Sequence, residues 1–157
     1  MDRTHLKTPL GILEICGTSK GIRSVSFTEM SEVEIESTPE TLQACKKQLH
    51  EYFQGTLTEF SLLLDPEGTS FQKKVWVQLT GISYGKTFSY AEQAEAFGDL
   101  KAIRAVAGAN GKNPIAIIIP CHRVIGSDGK LTGYAGGLWR KKWLLEHENP
   151  PAQRSHF

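Results

Sequence analysis

The chain has 157 residues and a mass of 17.4 kDa, a length that allows one domain or two small ones and excludes a large multidomain enzyme. Apolar residues make up 39% of the sequence and charged residues 22%, which disfavours disorder, and no apolar run reaches the roughly 18 residues of a membrane span. The net charge of +1 is unevenly spread, because residues 1–70 carry 6 Lys and Arg against 11 Asp and Glu, a balance of −5, and residues 71–157 carry 12 against 6, a balance of +6.

Short β-prone runs come first in the chain. Residues 10–16 and 22–27 are predicted strands, joined by a connection with a glycine at each end. The glutamates at 32, 34 and 36 alternate with apolar residues and predict either an edge strand or a solvated loop. Residues 60–64 are a further strand candidate. We therefore expect a small sheet in the first half.

One helix interrupts these strands. Thr38 before Pro39 predicts an N-cap followed by proline at the first helical position. Apolar residues then recur at helical spacing, and Gly55 is placed to end the helix. The segment 65–68 has the Asp-Pro-Glu-Gly composition of a turn, so we place the boundary between two parts of the chain there.

The second half is predicted to be mainly helical. Ser70 is a candidate N-cap for its first helix. Ser89 and Glu92 form a capping-box pattern at the start of the next. Gly98 breaks that helix, and Asp99 can cap another that runs to about residue 109. Two short helices joined by a glycine turn predict a helix-turn-helix, although many helical hairpins with this pattern do not bind DNA.

After this pair the sequence predicts a loop at 110–114 and a buried strand at 115–119 that ends at Pro120. Residues 126–129 are a predicted turn, and 138–147 form the last helix. The expected fold class is α/β (α+β), in two parts. Residues 1–67 form a small mixed sheet with a helix, packed on a mostly helical domain at 68–157 that contains the helix-turn-helix.

The segment from Pro120 to Arg123 carries the strongest chemical signal. Thiolate is the reactive form of cysteine, and a neighbouring histidine or cation lowers the pKa of a thiol, so Cys121 beside His122 is a candidate nucleophile. Adjacent residues in a strand point to opposite faces, so a bridging water is an alternative to direct contact. A buried, unreactive core thiol is the other interpretation of Cys121.

Several motifs occur in one order around this segment and resemble the O6-alkylguanine-DNA alkyltransferase family, the methylated-DNA–protein-cysteine methyltransferases. The resemblance is strong from about residue 70 to 148 and weaker before it, where Thr8-Pro9-Leu10-Gly11 is similar to the family's first strand entry. The motifs that carry it are Phe88-Ser89-Tyr90, Arg104-Ala105-Val106, Asn113-Pro114, Pro120-Cys121-His122-Arg123-Val124, Gly133-Tyr134-Ala135-Gly136-Gly137 and Lys142-Trp143-Leu144-Leu145-Glu146-His147-Glu148.

The resemblance implies a DNA-repair protein that moves a methyl or other alkyl group irreversibly, once per molecule, from guanine O6 to Cys121, with thymine O4 left open as a second substrate. It implies that His122 draws the thiol proton off through a water and that Glu148 hydrogen-bonds this histidine and stabilises its cation. It also implies that Asn113 orders the active-site turn and that the Tyr90 hydroxyl donates to guanine N3. These roles follow the logic of a nucleophile, a base and an orienting carboxylate.

The implied partner is double-stranded DNA, bound in the minor groove with the damaged base flipped into a pocket. Arg104 matches the arginine that takes the flipped base's place, and the small residues Ala105, Ala107 and Gly108 match the helix face that approaches DNA. A solvated helix charge is the alternative for Arg104. The resemblance implies no cofactor and no membrane, and we expect a monomer.

The base pocket is implied to include Val124, whose carbonyl would read the exocyclic amine of guanine together with that of Cys121. Tyr134, Ala135 and Gly136 match the loop that covers the base. Ala135 stands where some relatives carry serine, and its backbone N–H would serve guanine O6.

Some relatives bind a structural zinc, but here the four candidate ligands match no standard zinc spacing, so we expect no metal; they are His5, Cys16, Cys45 and His50. Three cysteines and the absence of an apolar leader favour a reducing compartment, so we expect a cytoplasmic protein, at the nucleoid in a bacterium or archaeon. Two alternatives are a non-catalytic lesion-binding protein that signals to excision repair, whose mark would be loss of the cysteine, and an unrelated cysteine hydrolase.

Overall fold

The computed structural model describes residues 1–33 and 37–150, so part of the predicted glutamate-rich edge strand or loop at 32–36 lies outside the described residues. The Cα positions divide the chain into two compact units. The first contains Met1–Glu67 together with Pro114–Ile118, and the second contains Gly68–Asn113 together with the chain from Ile119 onward.

A three-stranded antiparallel sheet forms the first unit, with β1 at Asp2–Thr8, β2 at Gly11–Thr18 and β3 at Gly21–Phe27 in that order across the sheet. Both predicted strands are confirmed as β2 and β3. Strand β1 was not predicted, because its pattern of exposed and polar residues lacks the apolar alternation that marked the other two.

Helix α1, at Glu40–Gln54, belongs to the same unit and turns its apolar residues inward. Its predicted end is confirmed, since Gly55 has a left-handed φ of 80°. The predicted cap is wrong: Pro39 is the N-cap and no side chain accepts a capping hydrogen bond. The Thr38 hydroxyl instead accepts from Lys46 Nζ at 3.2 Å.

Two predicted strands, at 60–64 and 115–119, do not form. Each makes a single bridge to β3, at Leu64 and at Ile115. They share the hydrogen-bonding edge of this strand, because Ile22 pairs with the first segment and Val25 with the second. The second segment then leaves the extended conformation at Ile117, which has a φ of +72°. Its apolar residues are buried although the backbone is irregular. An apolar run in the sequence cannot show whether the backbone is irregular or forms a regular strand.

The second unit contains four α-helices in its described part and, as expected, is mainly helical; they are α2 at Ser70–Leu79, α3 at Tyr90–Phe97, α4 at Ile103–Gly111 and α5 at Leu138–Glu148. Two short strands, β4 at Phe88–Ser89 and β5 at Val124–Ile125, pair in parallel. Thr69, and not Ser70, caps α2. In the described parts of the chain, no helix has the length and apolar character needed to cross a membrane.

Helices α3 and α4 form the predicted helix-turn-helix. Ser89 and Glu92 make the capping box, and Gly98 ends α3 with a φ of 115°. Asp99 caps a short 3₁₀ turn that leads into α4, which runs to Gly111, two residues beyond its predicted end. Across the pair, the side-chain amides of Gln93 and Asn110 exchange two buried hydrogen bonds of 2.8 and 2.7 Å.

Candidate active site

Cys121 begins a 3₁₀ turn, Cys121–Arg123, that follows the buried segment ending at Pro120. Its backbone N–H donates to the Ile119 carbonyl at 2.8 Å, and the residue as a whole is half-buried. The expectation that a strand delivers this cysteine is therefore wrong. The strand argument that Cys121 and His122 must point to opposite faces does not apply on a 3₁₀ turn.

Asn113 holds the thiol and the backbone next to it. Its Nδ2 donates to the Ile119 carbonyl at 2.8 Å and to Cys121 Sγ at 3.3 Å. Burial raises the pKa of the Cys121 thiol, while the hydrogen bond from Asn113 and the charge of Lys141 act in the opposite direction. Cys121 therefore rests as a neutral thiol and needs a base when it reacts.

His122 is fully buried, and its Nε2 lies 2.7 Å from Glu148 Oε2. Burial alone would raise the pKa of Glu148, but the hydrogen bonds from His122 and Arg123 and the charge of the Arg123 guanidinium outweigh it and hold that pKa well below its usual range. An ionised carboxylate only accepts hydrogen bonds, so Nε2 carries the proton and Nδ1 has a lone pair. Nδ1 is buried and has no hydrogen-bond partner among the described residues.

Burial also lowers the pKa of His122, because desolvation outweighs the opposing hydrogen bond and charge of Glu148. The resting imidazole is therefore neutral. The resemblance implies that Glu148 stabilises a histidine cation, and that prediction concerns the state after His122 has taken up a proton. A neutral imidazole with an open Nδ1 can accept a proton, which a cation cannot.

Arg123 is a member of this cluster that sequence reasoning assigned no role. Its Nε and Nη2 donate to the two oxygens of Glu148 at 2.7 and 3.0 Å, and its Nη1 donates to the Ile82 carbonyl at 2.6 Å. A bidentate guanidinium fixes the plane of a carboxylate. Arg123 thus orients Glu148, which in turn orients His122.

Lys141 was also missed. It is fully buried in α5, and its Nζ donates to the carbonyls of Val124, Thr132 and Gly133 at 2.6, 2.9 and 3.3 Å. Burial lowers the pKa of Lys141 to about 8. A signal was available, because Lys141 lies three residues before the buried Leu144 and seven before Glu148, on the buried face of the helix.

The predicted pocket residues lie next to the carbonyls that accept hydrogen bonds from Lys141. Val124 starts β5, and its carbonyl accepts from Lys141 in this structure. Tyr134, Ala135 and Gly136 form a turn in which the Gly137 N–H donates to the Tyr134 carbonyl at 2.9 Å. The Tyr90 hydroxyl donates to the Thr132 carbonyl at 2.9 Å, in the segment that leads into this turn.

The predicted DNA-contacting residues lie on a different element, α4. Arg104, Ala105 and Gly108 are exposed and Ala107 is half-buried. A Cβ built at Gly108 would meet no atom within 4 Å apart from the helix's own nearby backbone, so the helix surface is open at this position. The opposite face is buried and is fixed by Trp76, whose indole N–H donates to the Ala109 carbonyl at 2.8 Å.

The four candidate zinc ligands form no metal cluster within the described ranges. His5 contacts Glu14, with Nε2 3.2 Å from Oε2, and Cys16 donates to the same carboxylate at 3.7 Å. Cys45 lies on the buried face of α1. His5 and Cys16 are therefore paired with Glu14 and Cys45 is packed in the core, while His50 lies at an exposed position of α1.

Two domain models of one protein family together match most of the chain. Residues 1–66 match the family described as 6-O-methylguanine DNA methyltransferase, ribonuclease-like domain, and residues 70–150 match its DNA binding domain. A methylated-DNA–protein-cysteine methyltransferase from Methanosarcina barkeri is 47% identical over 148 residues, 91% of this chain and 94% of that protein. A protein of the same name from Mycolicibacterium paratuberculosis is 47% identical over 156 residues, 96% of this chain and 94% of that protein. The crystal structure of Mycobacterium tuberculosis OGT in complex with DNA is similar with a TM-score of 0.84 and 45% identity, covering 94% of this chain and 92% of that chain.

Proposed function

Because this chain belongs to the 6-O-methylguanine DNA methyltransferase family, it repairs DNA by transferring an alkyl group to one of its own cysteines, and we propose that this cysteine is Cys121. The reaction is that of a methylated-DNA–protein-cysteine S-methyltransferase, which acts once per molecule. The observation that supports Cys121 is the hydrogen bond of 3.3 Å from Asn113 to its sulfur, beside the buried pair of His122 and Glu148.

The other two cysteines fit the role less well. Cys16 is 4% exposed and Cys45 is fully buried, and burial raises the pKa of the Cys45 thiol to about 12. Neither thiol has a histidine next to it in the sequence. Cys121 as a whole residue is half-buried, whereas the other two cysteines are buried.

We propose that the transfer begins with removal of the thiol proton and ends with an alkylated sulfur. The thiol proton of Cys121 passes to Nδ1 of His122, through a bridging water or directly. The sulfur then attacks the alkyl carbon, so that an S–C bond forms as the C–O6 bond breaks and its electron pair stays on the guanine. The guanine takes up one proton as it leaves, and the imidazolium gives up the thiol proton, so that the net change is alkyl for hydrogen on sulfur and hydrogen for alkyl on the base. The resulting imidazolium is stabilised by Glu148, whose carboxylate stays ionised because Arg123 and His122 hold it.

The leaving guanine needs donors for the charge that develops on it. We assign the Tyr90 hydroxyl to N3 and the Ala135 N–H to O6. The carbonyls of Cys121 and Val124 would accept from the exocyclic amine. Tyr90 now donates to Thr132, so binding of the base would exchange that hydrogen bond for one to the purine.

The protein binds DNA. We propose that its ligand is a duplex with O6-alkylguanine, bound in the minor groove through the open face of α4, with Arg104 in the place of the flipped base. Ala105 and Gly108 leave room for close approach of the helix to the backbone. We propose that the protein acts as a monomer in the compartment that holds the DNA.

Intact-mass measurement after mixing with a duplex that contains O6-methylguanine tests this assignment. We expect a gain of one methyl group per molecule, mapped by peptide analysis to Cys121. Cys121→Ala should abolish the gain and still bind the duplex, whereas the matched control Cys16→Ala should react like the parent protein. A methyl group on Cys16 or Cys45 would refute the assignment, and binding without any transfer would favour the lesion-binding alternative.

A further inference from the structure

Two residues at the start of α5, Trp139 and Arg140, make contacts that the mechanism above does not use. Trp139 is 57% exposed. The guanidinium carbon of Arg140 lies 4.6 Å from the centre of its ring, within the range of a cation–π contact. The Nη1 of the same guanidinium donates to the carbonyl of Gly136 at 2.9 Å. The Arg140 guanidinium thus contacts the Trp139 ring and also donates a hydrogen bond to the turn at Tyr134–Gly137.

This hydrogen bond acts on a single peptide plane. The Gly136 carbonyl and the Gly137 N–H belong to the same planar unit. Arg140 holds the carbonyl side, and the N–H side donates to the Tyr134 carbonyl at 2.9 Å. The next carbonyl, of Gly137, accepts from the N–H groups of Arg140 and Lys141, each at 3.2 Å. Residues of α5 therefore donate hydrogen bonds to two consecutive carbonyls at the end of the turn, those of Gly136 and Gly137.

The turn would otherwise be easy to deform. Gly137 has a φ of +93°, and two consecutive glycines offer the backbone many alternative conformations. A catalytic donor must be held within a fraction of an ångström of its productive position, and misplacement by 1 Å can cost about 10²-fold in rate. A side chain that restricts this glycine pair would therefore affect the reaction without touching the substrate.

We propose that Arg140, supported by the ring of Trp139, is a positioning residue that orients the turn at Tyr134–Gly137 so that the Ala135 N–H faces guanine O6. This inference rests on the proposed function of that N–H. It makes the pair a determinant of the transfer step itself, and it requires no contact between Arg140 and DNA.

The test compares two variants of nearly equal length. Arg140→Met keeps the apolar stem and removes the donor, and Arg140→Lys keeps one donor. Second-order alkylation rates are measured with the free base O6-benzylguanine and with an O6-methylguanine duplex. We expect Arg140→Met to be about tenfold slower on both substrates, less than the ~10²-fold cost of removing a direct donor to developing charge. Arg140→Lys should recover part of this loss.

Two further variants sharpen the test. Trp139→Leu keeps apolar bulk but removes the aromatic face, so we expect a smaller loss in the same direction. Lys142→Ala removes an equal charge from an exposed position of the same helix and should react with the free base like the parent protein. In saturation experiments the loss should lie in the maximum transfer rate rather than in the half-saturating concentration, a split that a general folding defect would not produce.

The alkylation rates of Arg140→Met on the free base and on the duplex decide whether Arg140 positions the turn. A normal rate of Arg140→Met on the free base would overturn it, and slowing on duplex alone would instead make Arg140 a phosphate contact. If Arg140→Met fails to fold, as urea unfolding would show, the Trp139→Leu rate on the free base decides in its place, and a normal rate there overturns the proposal. A parent protein that is not alkylated at Cys121 would refute the proposed function, whereas a parent alkylated there with a normal Met variant would refute this inference alone.

Discussion

The carboxylate of Glu148 accepts from an imidazole and from a guanidinium, and this arrangement decides the protonation of His122. Arg123 and His122 together hold the pKa of Glu148 well below its usual range in spite of burial. The ionised carboxylate then fixes the proton of His122 on Nε2 and leaves Nδ1 as the acceptor. Burial keeps the resting imidazole neutral, so a single buried residue is both oriented and ready to take a proton.

This arrangement predicts a pH dependence of stability. Burial lowers the pKa of His122 from 6.5 in the folded state, so below about pH 6.5 the unfolded chain binds a proton that the folded protein does not. The free energy of unfolding should therefore be highest with respect to this group above about pH 6.5. Below that pH it should fall by up to about 1.4 kcal/mol per pH unit for one proton. The lowered pKa of Glu148 adds a further loss at lower pH.

Urea unfolding between pH 8 and pH 5 would measure this effect. His122→Gln should flatten the slope between pH 6.5 and pH 5, because the group that takes up the proton on unfolding is gone. His50→Gln replaces an exposed histidine and serves as the control. If the slope is the same in His122→Gln and in the parent protein, then His122 of the parent is as fully charged in the folded state as in the unfolded state.

At the scale of elements, the helix-turn-helix depends on a buried polar contact as well as on its caps. The amides of Gln93 on α3 and Asn110 on α4 satisfy each other, and Gln78 of α2 donates to the Gln93 carbonyl at 2.8 Å. A reciprocal amide pair is directional, so it fixes how α3 and α4 meet more closely than apolar packing alone would. The open face of α4 is thereby set relative to α3.

A double-mutant cycle tests this pair. Gln93→Leu and Asn110→Leu should each reduce the free energy of unfolding by about 1–3 kcal/mol, because each leaves a buried amide without its partner. The double variant should cost less than the sum of the two, since both polar groups are removed. Gln54→Leu, at an exposed position in α1, should change stability by no more than about 0.5 kcal/mol. Strict additivity would mean that the two amides do not depend on each other.

At the scale of the whole molecule, the proposed repair combines attraction to a polyanion with chemistry on one extruded base. The net charge is +6 after residue 70 and −5 before it. The second half of the chain should therefore supply the electrostatic attraction to DNA phosphates. Extruding a base costs a few kcal/mol in unstacking and unpairing. A residue that replaces the flipped base in the stack should therefore affect duplex substrates only.

Arg104→Ala should slow repair of an O6-methylguanine duplex by tenfold or more, since a few kcal/mol of stacking is at stake, and leave the reaction with O6-benzylguanine unchanged. Tyr90→Phe should slow both reactions, because it removes a donor to the leaving purine. Lys101→Ala takes one charge from an exposed position of the same helix-turn-helix and controls for loss of phosphate attraction. Equal slowing of the Arg104 variant on both substrates would assign Arg104 to the fold rather than to the extruded base.

The sequence by itself determined the features that depend on near neighbours. The capping box at Ser89 and the glycine ends at Gly55 and Gly98 arise from interactions within a few residues, so their patterns predicted them correctly. The order of motifs around Cys121 was likewise enough to indicate the family. Helix periodicity placed the mainly helical second half for the same reason.

Tertiary structure decided what depends on distant partners. The segment at 115–119 is apolar and buried, but whether it forms a strand depends on hydrogen-bonding groups of β3 about 90 residues earlier, which it shares with the segment before Asp65. Arg123 gained its role from Ile82 and Glu148, 41 and 25 residues away. The neutral state of His122 follows from burial, which is a property of the packed unit, because desolvation depends on every group that excludes water from the ring.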